Sequence, residues 1–416
     1  MTIQQKIYPL EEHGLDIRDI DEHALYIMEK LARSGHTAYL VGGSVRDLLL
    51  KKKPKDFDIS TSARPEEIKE IFRNSILIGR RFRLAHIRFG KKIFEVSTFR
   101  AGDTESEEFI TRDNVWGSPE EDVLRRDFTI NGLFFDPSSQ TVIDFLGGYP
   151  DIQKQYLRTI GPAFVRFKQD PVRMLRLVKF QARFGFTIDP EAKIALCECR
   201  HDITKSSSAR ILEELLRMLE SKASAPFFRL MIEYGLLPLM LPALSTFMET
   251  PDGNEIYSYL EEIDNFFQEP HSPTLDRSIL LAALIYPLFQ RHLQDHYIDR
   301  GKNPHLGEIQ QEAHNLVNEV FLPFFLLSRK LRSTLISVLT GQYRLTPLEK
   351  RGHRRPRVPQ DPDFPLALQF LEIRSRLEPG LKQILDLWQE TINTQASTIN
   401  NPAPQRKRRT RRRRPS

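Results

Sequence analysis

The sequence predicts an α+β protein in which a region of strands and helices is followed by an all-helical region. Short apolar runs typical of strands alternate with helical patterns up to about residue 160. After that point nearly every apolar pattern has the helical period. From Asn400 onward the chain is rich in Pro, Arg and Lys and has nothing from which to build a core, so we expect this segment to be disordered.

Composition limits the classes of protein to which the chain can belong. Its 416 residues, of which 40% are hydrophobic, allow about two to four domains with real cores. The net charge is +6, but residues 406–414 alone carry eight positive charges, which leaves −2 for the rest of the chain. The basic character therefore belongs to the tail and does not describe the folded surface.

The cysteines and the N-terminus indicate a reducing cytoplasm. Cys197 and Cys199 are separated by one residue, which does not suit a disulfide, and with His201 they fall short of the four ligands of a structural zinc site. The first residues lack the charged start and apolar core of a signal peptide. No run reaches the ~18 apolar residues of a membrane span. We therefore expect a cytoplasmic protein without a membrane partner.

The strongest motif is a strand, a glycine pair and a second strand within about twenty residues. Residues 38–41 form an apolar strand that enters Gly42-Gly43 at the start of a helix. Glycine lets the backbone approach a phosphate, and a helix start turns N–H groups toward it. Asp56 and Asp58 lie in a predicted strand 56–60 and share a face, because side chains alternate along a strand. Such carboxylates suit Mg²⁺ with a nucleotide triphosphate, whereas the alternative is a solvated strand edge.

Two later segments add charged residues. Residues 77–100 are typical of two strands joined near Gly90, and Glu95 is either a third carboxylate of the site or a cross-strand partner of a lysine or arginine. Arg126 suits bidentate contact with phosphate oxygens, and Asp127 suits a metal or a sugar hydroxyl. The alternative for this Arg-Asp sequence is a surface ion pair of little value. Residues 141–144 complete a hairpin before a glycine hinge at 147–148.

The helical region begins with Asp170-Pro171, which open a helix that ends at Gly185. Arg173 and Arg176 share one of its faces and, taken alone, are typical of a solvated basic face. Further helices are predicted at about 209–220, 224–235, 255–268, 277–295, 307–320, 327–340 and 366–392, with a loop over 349–365.

Five motifs in this order resemble those of the class II nucleotidyltransferases, the family of the bacterial CCA-adding enzymes and bacterial poly(A) polymerases. The motifs are Gly42–Asp47, Asp56–Asp58, Arg125–Asp127, Asp144 with Gly147-Gly148, and Asp170–Arg173. The resemblance spans roughly residues 38–220 and implies a polymerase-β-like nucleotidyltransferase head followed by an all-α neck, body and tail. The implied divisions are an N-terminal arm (1–24), the head (25–160), the neck (161–222), an RNA-binding body and tail (223–399) and the disordered Arg-rich tail (400–416).

The resemblance also implies roles for individual residues. Asp56, Asp58 and Asp127 match the catalytic carboxylates, and the first two are the implied ligands of Mg²⁺. Asp170 and Arg173 match the pair that reads the Watson–Crick edge of the incoming base. Members of the family usually carry Glu before that aspartate, and Gln169 of this chain is a departure that bears on the fine tuning of base choice. The full set of implied nucleotide-binding residues is Gly42, Gly43, Arg46, Asp47, Arg126, Asp170, Arg173 and Arg176.

Residues 77–87 and the Arg-rich tail resemble the poly(A) polymerase branch of the family. This branch implies template-independent transfer of AMP from ATP to RNA 3′ ends, with release of pyrophosphate, by a monomer that tails RNA for decay and meets RNA-decay proteins. We expect the body to hold RNA through phosphates and the tail to add salt-sensitive affinity, although solubility or protein docking is an alternative role for the tail. Two other functions stay open: a CCA-adding tRNA nucleotidyltransferase, and a degenerate head on a non-enzymatic RNA-binding protein.

Overall fold

The computed structural model describes residues 4–79, 84–101, 115–270, 272–346 and 358–400, of which 395–400 are described as backbone. The chain divides into two compact units. The first comprises residues 1–218 with 226–240, and the second comprises 219–225 with 241–416. The tail predicted over 400–416, apart from Asn400 at the end of the last helix, and residues 80–83 of the 77–87 motif lie outside the described residues.

The first unit contains a mixed sheet of eight strands in the order β1-β10-β9-β2-β3-β6-β5-β4, and two smaller pairs, β7-β8 and β11-β12. Neighbours in the large sheet are antiparallel except for the parallel pair β3-β6. The strands are β1 (Lys6–Tyr8), β2 (Ala38–Val41), β3 (Ile59–Thr61), β4 (Ser75–Ile78), β5 (Leu84–Phe89), β6 (Lys92–Thr98), β7 (Arg100–Ala101), β8 (Val115–Trp116), β9 (Leu133–Asp136), β10 (Thr141–Asp144), β11 (Tyr156–Leu157) and β12 (Thr187–Ile188).

The helices of the head and neck are α1 (Leu10–His13), α2 (Glu22–Arg33), α3 (Gly43–Leu49), α4 (Pro65–Ile71), α5 (Pro119–Leu124), α6 (Gly148–Gln153), α7 (Ala163–Gln169), α8 (Val172–Phe184), α9 (Pro190–Cys199) and α10 (Ser208–Leu219). They are followed by α11 (Ser224–Glu233), α12 (Leu237–Met240), α13 (Pro242–Met248), α14 (Asn254–Gln268), α15 (Arg277–His296), α16 (Leu306–Phe321), α17 (Arg329–Leu345), α18 (Phe364–Leu377) and α19 (Lys382–Asn400). The expected α+β class, with helices after the mixed sheet, is confirmed.

The N-terminal residues differ from the predicted arm. Strand β1 pairs with β10, with Lys6 opposite Asp144 and Tyr8 opposite Val142, so this segment is the edge of the head sheet. Tyr8 is buried against the ring of Tyr149, at 4.3 Å between centroids. Strand β1 therefore belongs to the head sheet, and the backbone pairing and the Tyr8–Tyr149 contact hold it there.

The core of the head lies where the central strands meet the segments that follow them. Val41, Phe99, Phe134 and Phe145 form one buried cluster, and the last three rings pack edge to face at 5.9–6.2 Å. Aromatic residues contribute large buried areas, so this cluster fixes the end of β2 from which the glycine turn leaves.

The second unit is helical throughout its described part. Its helix pairs α14-α15, α15-α17, α16-α17 and α17-α18 pack against one another. The helix predicted over 366–392 is two helices, because Pro379-Gly380 lie in a short 3₁₀ turn between α18 and α19. Within the described residues, no helix is both long enough and apolar enough to cross a membrane.

Candidate active site

Three carboxylates lie near the neighbouring central strands β3 and β6 of the sheet. Strand β3 begins at Ile59, not at Asp56 as predicted, so both aspartates lie in the extended segment before the strand. The Asp58 carbonyl nevertheless accepts a hydrogen bond from the Val41 N–H at 3.0 Å, which holds the aspartate beside the end of β2. Because Ile59 is opposite Val96 in the parallel pair, Glu95 is brought next to Asp58.

Asp56 and Glu95 perturb the pKa of the Asp58 carboxylate. Solvent reaches Asp58, but surrounding protein atoms partly desolvate its carboxylate, and this burial together with the charges of Glu95 and Asp56 raises the pKa of Asp58 to about 6. Arg126 acts in the opposite direction. Oxygen donors with excess negative charge fit a hard divalent cation, which would relieve this repulsion.

The sequence left Glu95 either as a third carboxylate of the site or as a cross-strand partner of a lysine or arginine. Among the described residues its cross-strand partner is His86, at 3.7 Å from Nε2 to Oε2. Its charge also raises the pKa of Asp58. The side chain is half exposed, so Glu95 is available to the site as well as to the sheet.

Arg126 is the cation that faces the carboxylates. Asp122 holds it through Nε at 3.2 Å and Nη2 at 2.8 Å, and the guanidinium lies 5.4 Å from the centre of the Phe134 ring. Burial of Asp122 is outweighed by its two arginine partners, Arg126 and Arg125, so its pKa is lowered. Arg126 is thereby fixed in orientation while a fifth of its side chain stays exposed, as phosphate contact requires.

The glycine pair allows this close approach. Gly42 has a φ of 68°, and a Cβ at this position would lie 3.0 Å from Nη1 of Arg126. An alanine there would therefore be strained and would press on the guanidinium. Ser44 stabilises the same turn, since its hydroxyl donates to the Val41 carbonyl at 2.9 Å.

Arg46 and Asp47 lie below this surface and join the head to the neck helix α8. Arg46 is buried, donates to Asp47 Oδ1 at 2.7 Å and to Asn131 Oδ1 at 2.5 Å, and stacks near two rings of α8, those of Phe180 and Phe184. The other oxygen of Asp47 accepts from Arg183 of α8 at 3.1 Å. The nucleotide-binding roles expected of Arg46 and Asp47 stay predictions, and the contacts that the structure gives these residues are structural.

Asp127 likewise contacts the neck helix α8. It is buried, accepts from the Phe128 N–H at 2.8 Å and from Asn131 Nδ2 at 2.9 Å, and forms an ion pair with Arg176 of α8 at 2.9 Å. Although burial alone would raise it, the pKa of Asp127 is lowered by Arg176 and by these hydrogen bonds. The structure therefore places the predicted catalytic Asp127 where it orients the neck against the head, and its catalytic role stays a prediction.

The predicted base-reading residues lie at the junction of α7 and α8. Asp170 separates the two helices, and its Oδ2 accepts from Arg210 at 2.8 Å. Arg173 is buried and donates to the Arg166 carbonyl at 3.1 Å. Gln169 accepts from Arg166 Nη1 at 2.8 Å and from Arg173 Nη1 at 3.4 Å.

The sequence did not reveal three residues that connect the head to the neck: Asn131, Arg166 and Arg183. Asn131 bridges Arg46 and Asp127, and Arg166 donates to the carbonyls of Arg125 and Arg126 at 3.0 and 2.5 Å. For Arg166 the available clue was its position in a short segment between Pro162 and Pro171. The other two show no local signal, because their partners are distant in sequence.

A mixed sheet that presents paired carboxylates beside a glycine turn, with helices packed behind it, defines the chain as a nucleotidyltransferase. Residues 38–158 match the family model "Poly A polymerase head domain", residues 185–248 match "Probable RNA and SrmB- binding site of polymerase A", and residues 305–416 match "Polymerase A arginine-rich C-terminus". The chain is 33% identical to poly(A) polymerase I of Salmonella typhi, over 97% of this chain and 90% of that protein. It is 34% identical to poly(A) polymerase I of Escherichia coli O157:H7, over 93% and 86% of the two chains. The chain therefore belongs to the poly(A) polymerase I family, whose polymerase-β-like nucleotidyltransferases generally use divalent metals.

The CCA-adding enzymes are more distant relatives. That of Lactobacillus johnsonii is 32% identical over 69% of each chain. The crystal structure of the Bacillus stearothermophilus CCA-adding enzyme in complex with CTP superposes with a TM-score of 0.61 at 24% identity, covering 88% of this chain and 82% of that one. This likeness shows a shared fold.

Proposed function

We propose that the protein transfers AMP from ATP to the 3′-OH of RNA without a template and releases pyrophosphate, with Mg²⁺ as the cofactor. The observation that carries the proposal is the grouping of Asp58 and Glu95 beside the end of β2, where Arg126 lies next to the Gly42 turn. Membership of the poly(A) polymerase I family supports ATP and RNA as the substrates. The expected outcome in the cell is the tailing of RNA for decay, in contact with RNA-decay proteins.

Asp56 and Asp58 would hold the metal, and Glu95 is placed to assist them. Bound Mg²⁺ supplies charge stabilisation at the reacting phosphate and lowers the pKa of the attacking hydroxyl. The protein itself contributes position and charge: Arg126, fixed by Asp122, neutralises phosphate oxygens, and the glycine turn keeps side chains out of their way. Little covalent chemistry is required of the chain.

Base choice is assigned to the junction of α7 and α8. Asp170 offers a carboxylate that Arg210 orients, and Arg173 stands one turn further along. A carboxylate acceptor beside a guanidinium donor suits the Watson–Crick edge of a base. Arg176 acts on this surface indirectly, because it is bound to the buried Asp127.

The proposal is tested by comparing Asp58→Asn with Asp19→Asn, a matched change at an exposed aspartate outside the site. The assay is the extension of an unstructured RNA primer by ATP in the presence of Mg²⁺. We expect extension to fall to background in the first variant and to stay at the wild-type level in the second. Circular dichroism of both variants checks that each is folded. Full extension by the Asp58 variant would overturn the metal assignment.

A CCA-adding activity is the competing outcome of the same assay with tRNA as primer. Addition that stops after C-C-A would favour it, whereas long runs of A on both primers would favour the proposed polyadenylation. Failure to bind ATP with Mg²⁺ would instead favour a non-enzymatic RNA-binding protein.

A further inference from the structure

A cluster of two histidines and one glutamate lies in the second unit, where helices α15 and α16 pack together. His292 and His296 are one turn apart on α15, so their rings lie on the same face of that helix. Both rings direct Nδ1 at one oxygen, Oε1 of Glu312 on α16, at distances of 3.3 and 3.0 Å. The three side chains thus converge from two helices on one point.

The glutamate of this cluster is the unusual member. Its side chain is 8% exposed, and among the described residues its ion-pair partners are these two histidines. A buried carboxylate is costly unless a positive charge compensates it. A metal ion held between this carboxylate and the two imidazoles would supply such a charge.

The spacing of the atoms fits a tetrahedral metal ion. Ligands at about 2.0–2.1 Å from a tetrahedral centre are ~3.3 Å apart, and the two N–O distances here are close to that value. One ligand atom from each residue lies within 4.8 Å of those of the other two. Small rotations of the side chains would therefore seat the ion without a movement of the helices.

We propose that His292, His296 and Glu312 bind a zinc ion that fastens α15 to α16. Two imidazole nitrogens and one carboxylate oxygen favour zinc over magnesium, which prefers oxygen alone. On binding, each neutral ring carries its hydrogen on Nε2 instead of Nδ1 and offers the Nδ1 lone pair to the metal. His296 is half exposed, so solvent water can complete the four ligands.

The site has an open fourth position but lacks the general base of hydrolytic zinc sites. In helical zinc sites that cleave bonds, a glutamate follows the first histidine and acts as the general base. Here that position is Leu293, which is buried, and the carboxylate of Asp295 is held by Arg291 at 3.0 Å. The ion is therefore expected to stabilise the helix pair.

The test uses the full chain without a histidine tag, stripped of metal and then dialysed against zinc with an excess of Mg²⁺ to occupy the oxygen sites of the head. We expect about one zinc ion per chain by elemental analysis, and a zinc-dependent rise in the melting temperature. His296→Gln should weaken zinc binding by at least about 100-fold and abolish the thermal shift. His314→Gln, at an exposed histidine of α16 outside the cluster, is the matched control and should leave both unchanged.

Two results would overturn the proposal. The first is a wild-type chain that binds no more zinc than His296→Gln, which would make the cluster a set of hydrogen bonds only. The second is that His296→Gln binds zinc fully whereas Cys197→Ser does not, because the metal would then be bound at the exposed cysteine. The half-exposed position of His296 makes a folding failure of the test variant unexpected, and its metal-free melting temperature checks this.

Discussion

Gln169 is where a single change gives the sharpest test of the electrostatics of the neck. Its one side-chain oxygen accepts from two buried guanidinium groups, those of Arg166 and Arg173. Burial and the nearby charge of Arg173 lower the pKa of Arg166 to about 9, so this environment disfavours the charged arginine. Gln169→Glu keeps the shape of the side chain and adds the missing negative charge.

The size of the effect follows from the two hydrogen bonds. Changing a neutral acceptor to a charged one strengthens each bond by about 1 kcal/mol. Burying the new carboxylate costs part of this gain, although two cations compensate it. We therefore expect Gln169→Glu to raise the free energy of unfolding by about 1 kcal/mol, or the melting temperature of the first unit by roughly 2–4 °C.

Calorimetry at pH 7 measures this change, and Gln169→Met, which keeps the size but removes the acceptor, is the matched control. The control should lower stability, because two buried donors lose their partner. Two arginines hold the folded-state pKa of the new glutamate below its unfolded value of about 4.3. The gain is therefore present above that pH and is lost as the pH falls through the lower folded value. A melting temperature below that of the wild type at pH 7 would refute the reasoning.

Three further predictions concern the head and the tail. Without divalent cations, the raised pKa of Asp58 makes the folded head less stable as the pH rises from about 4 through 6. Asp58→Asn should remove this dependence on pH and raise the free energy of unfolding at pH 7 by about 1 kcal/mol, after allowance for solvent screening. Denaturant unfolding in EDTA, with and without added Mg²⁺, measures this change. Arg46→Met should destabilise the first unit by ~3 kcal/mol or more, because Asp47 and Asn131 lose a buried partner; unchanged urea unfolding would contradict the network described for the head and neck. Deleting residues 401–416 should make the slope of log K for RNA binding against log salt concentration less steep, by about 0.7 for each phosphate that the tail neutralises. An unchanged slope would favour a solubility or docking role for the tail.

The sequence predicted the parts of the site that depend on local pattern. The predicted first residues of the strand before Gly42 and of helices α14 to α17 lie within two residues of the observed ones. Apolar strand runs and amphipathic periodicity are local signals, so the sequence alone reveals them. The motif Asp56–Asp58 precedes β3, and Asp58 is hydrogen-bonded beside the end of β2 from which the glycine turn leaves. A hydrogen bond from the Val41 N–H to the Asp58 carbonyl holds this segment beside β2, and no periodicity in the sequence reveals it.

What the sequence did not predict depends on partners that are distant along the chain. Arg46 follows a glycine pair and therefore suits a phosphate, but in the fold it meets Asn131, 85 residues away, and two rings of α8. Asp127 is buried for the same reason, by a neck helix that begins 45 residues later. Strand β1 has three residues, too few for alternation to show. By contrast, the break between α18 and α19 had a local signal in Pro379-Gly380.

The most direct test of the central claim is the nucleotide preference of the wild-type chain on an unstructured RNA primer. Each of the four ribonucleoside triphosphates is supplied alone with Mg²⁺, and the lengths of the products are read on a gel. The proposed function, supported by membership of the poly(A) polymerase I family, predicts long extension with ATP and little with the others. Equal use of CTP and ATP, or addition that stops after a few nucleotides, would contradict the assignment as a poly(A)-forming enzyme.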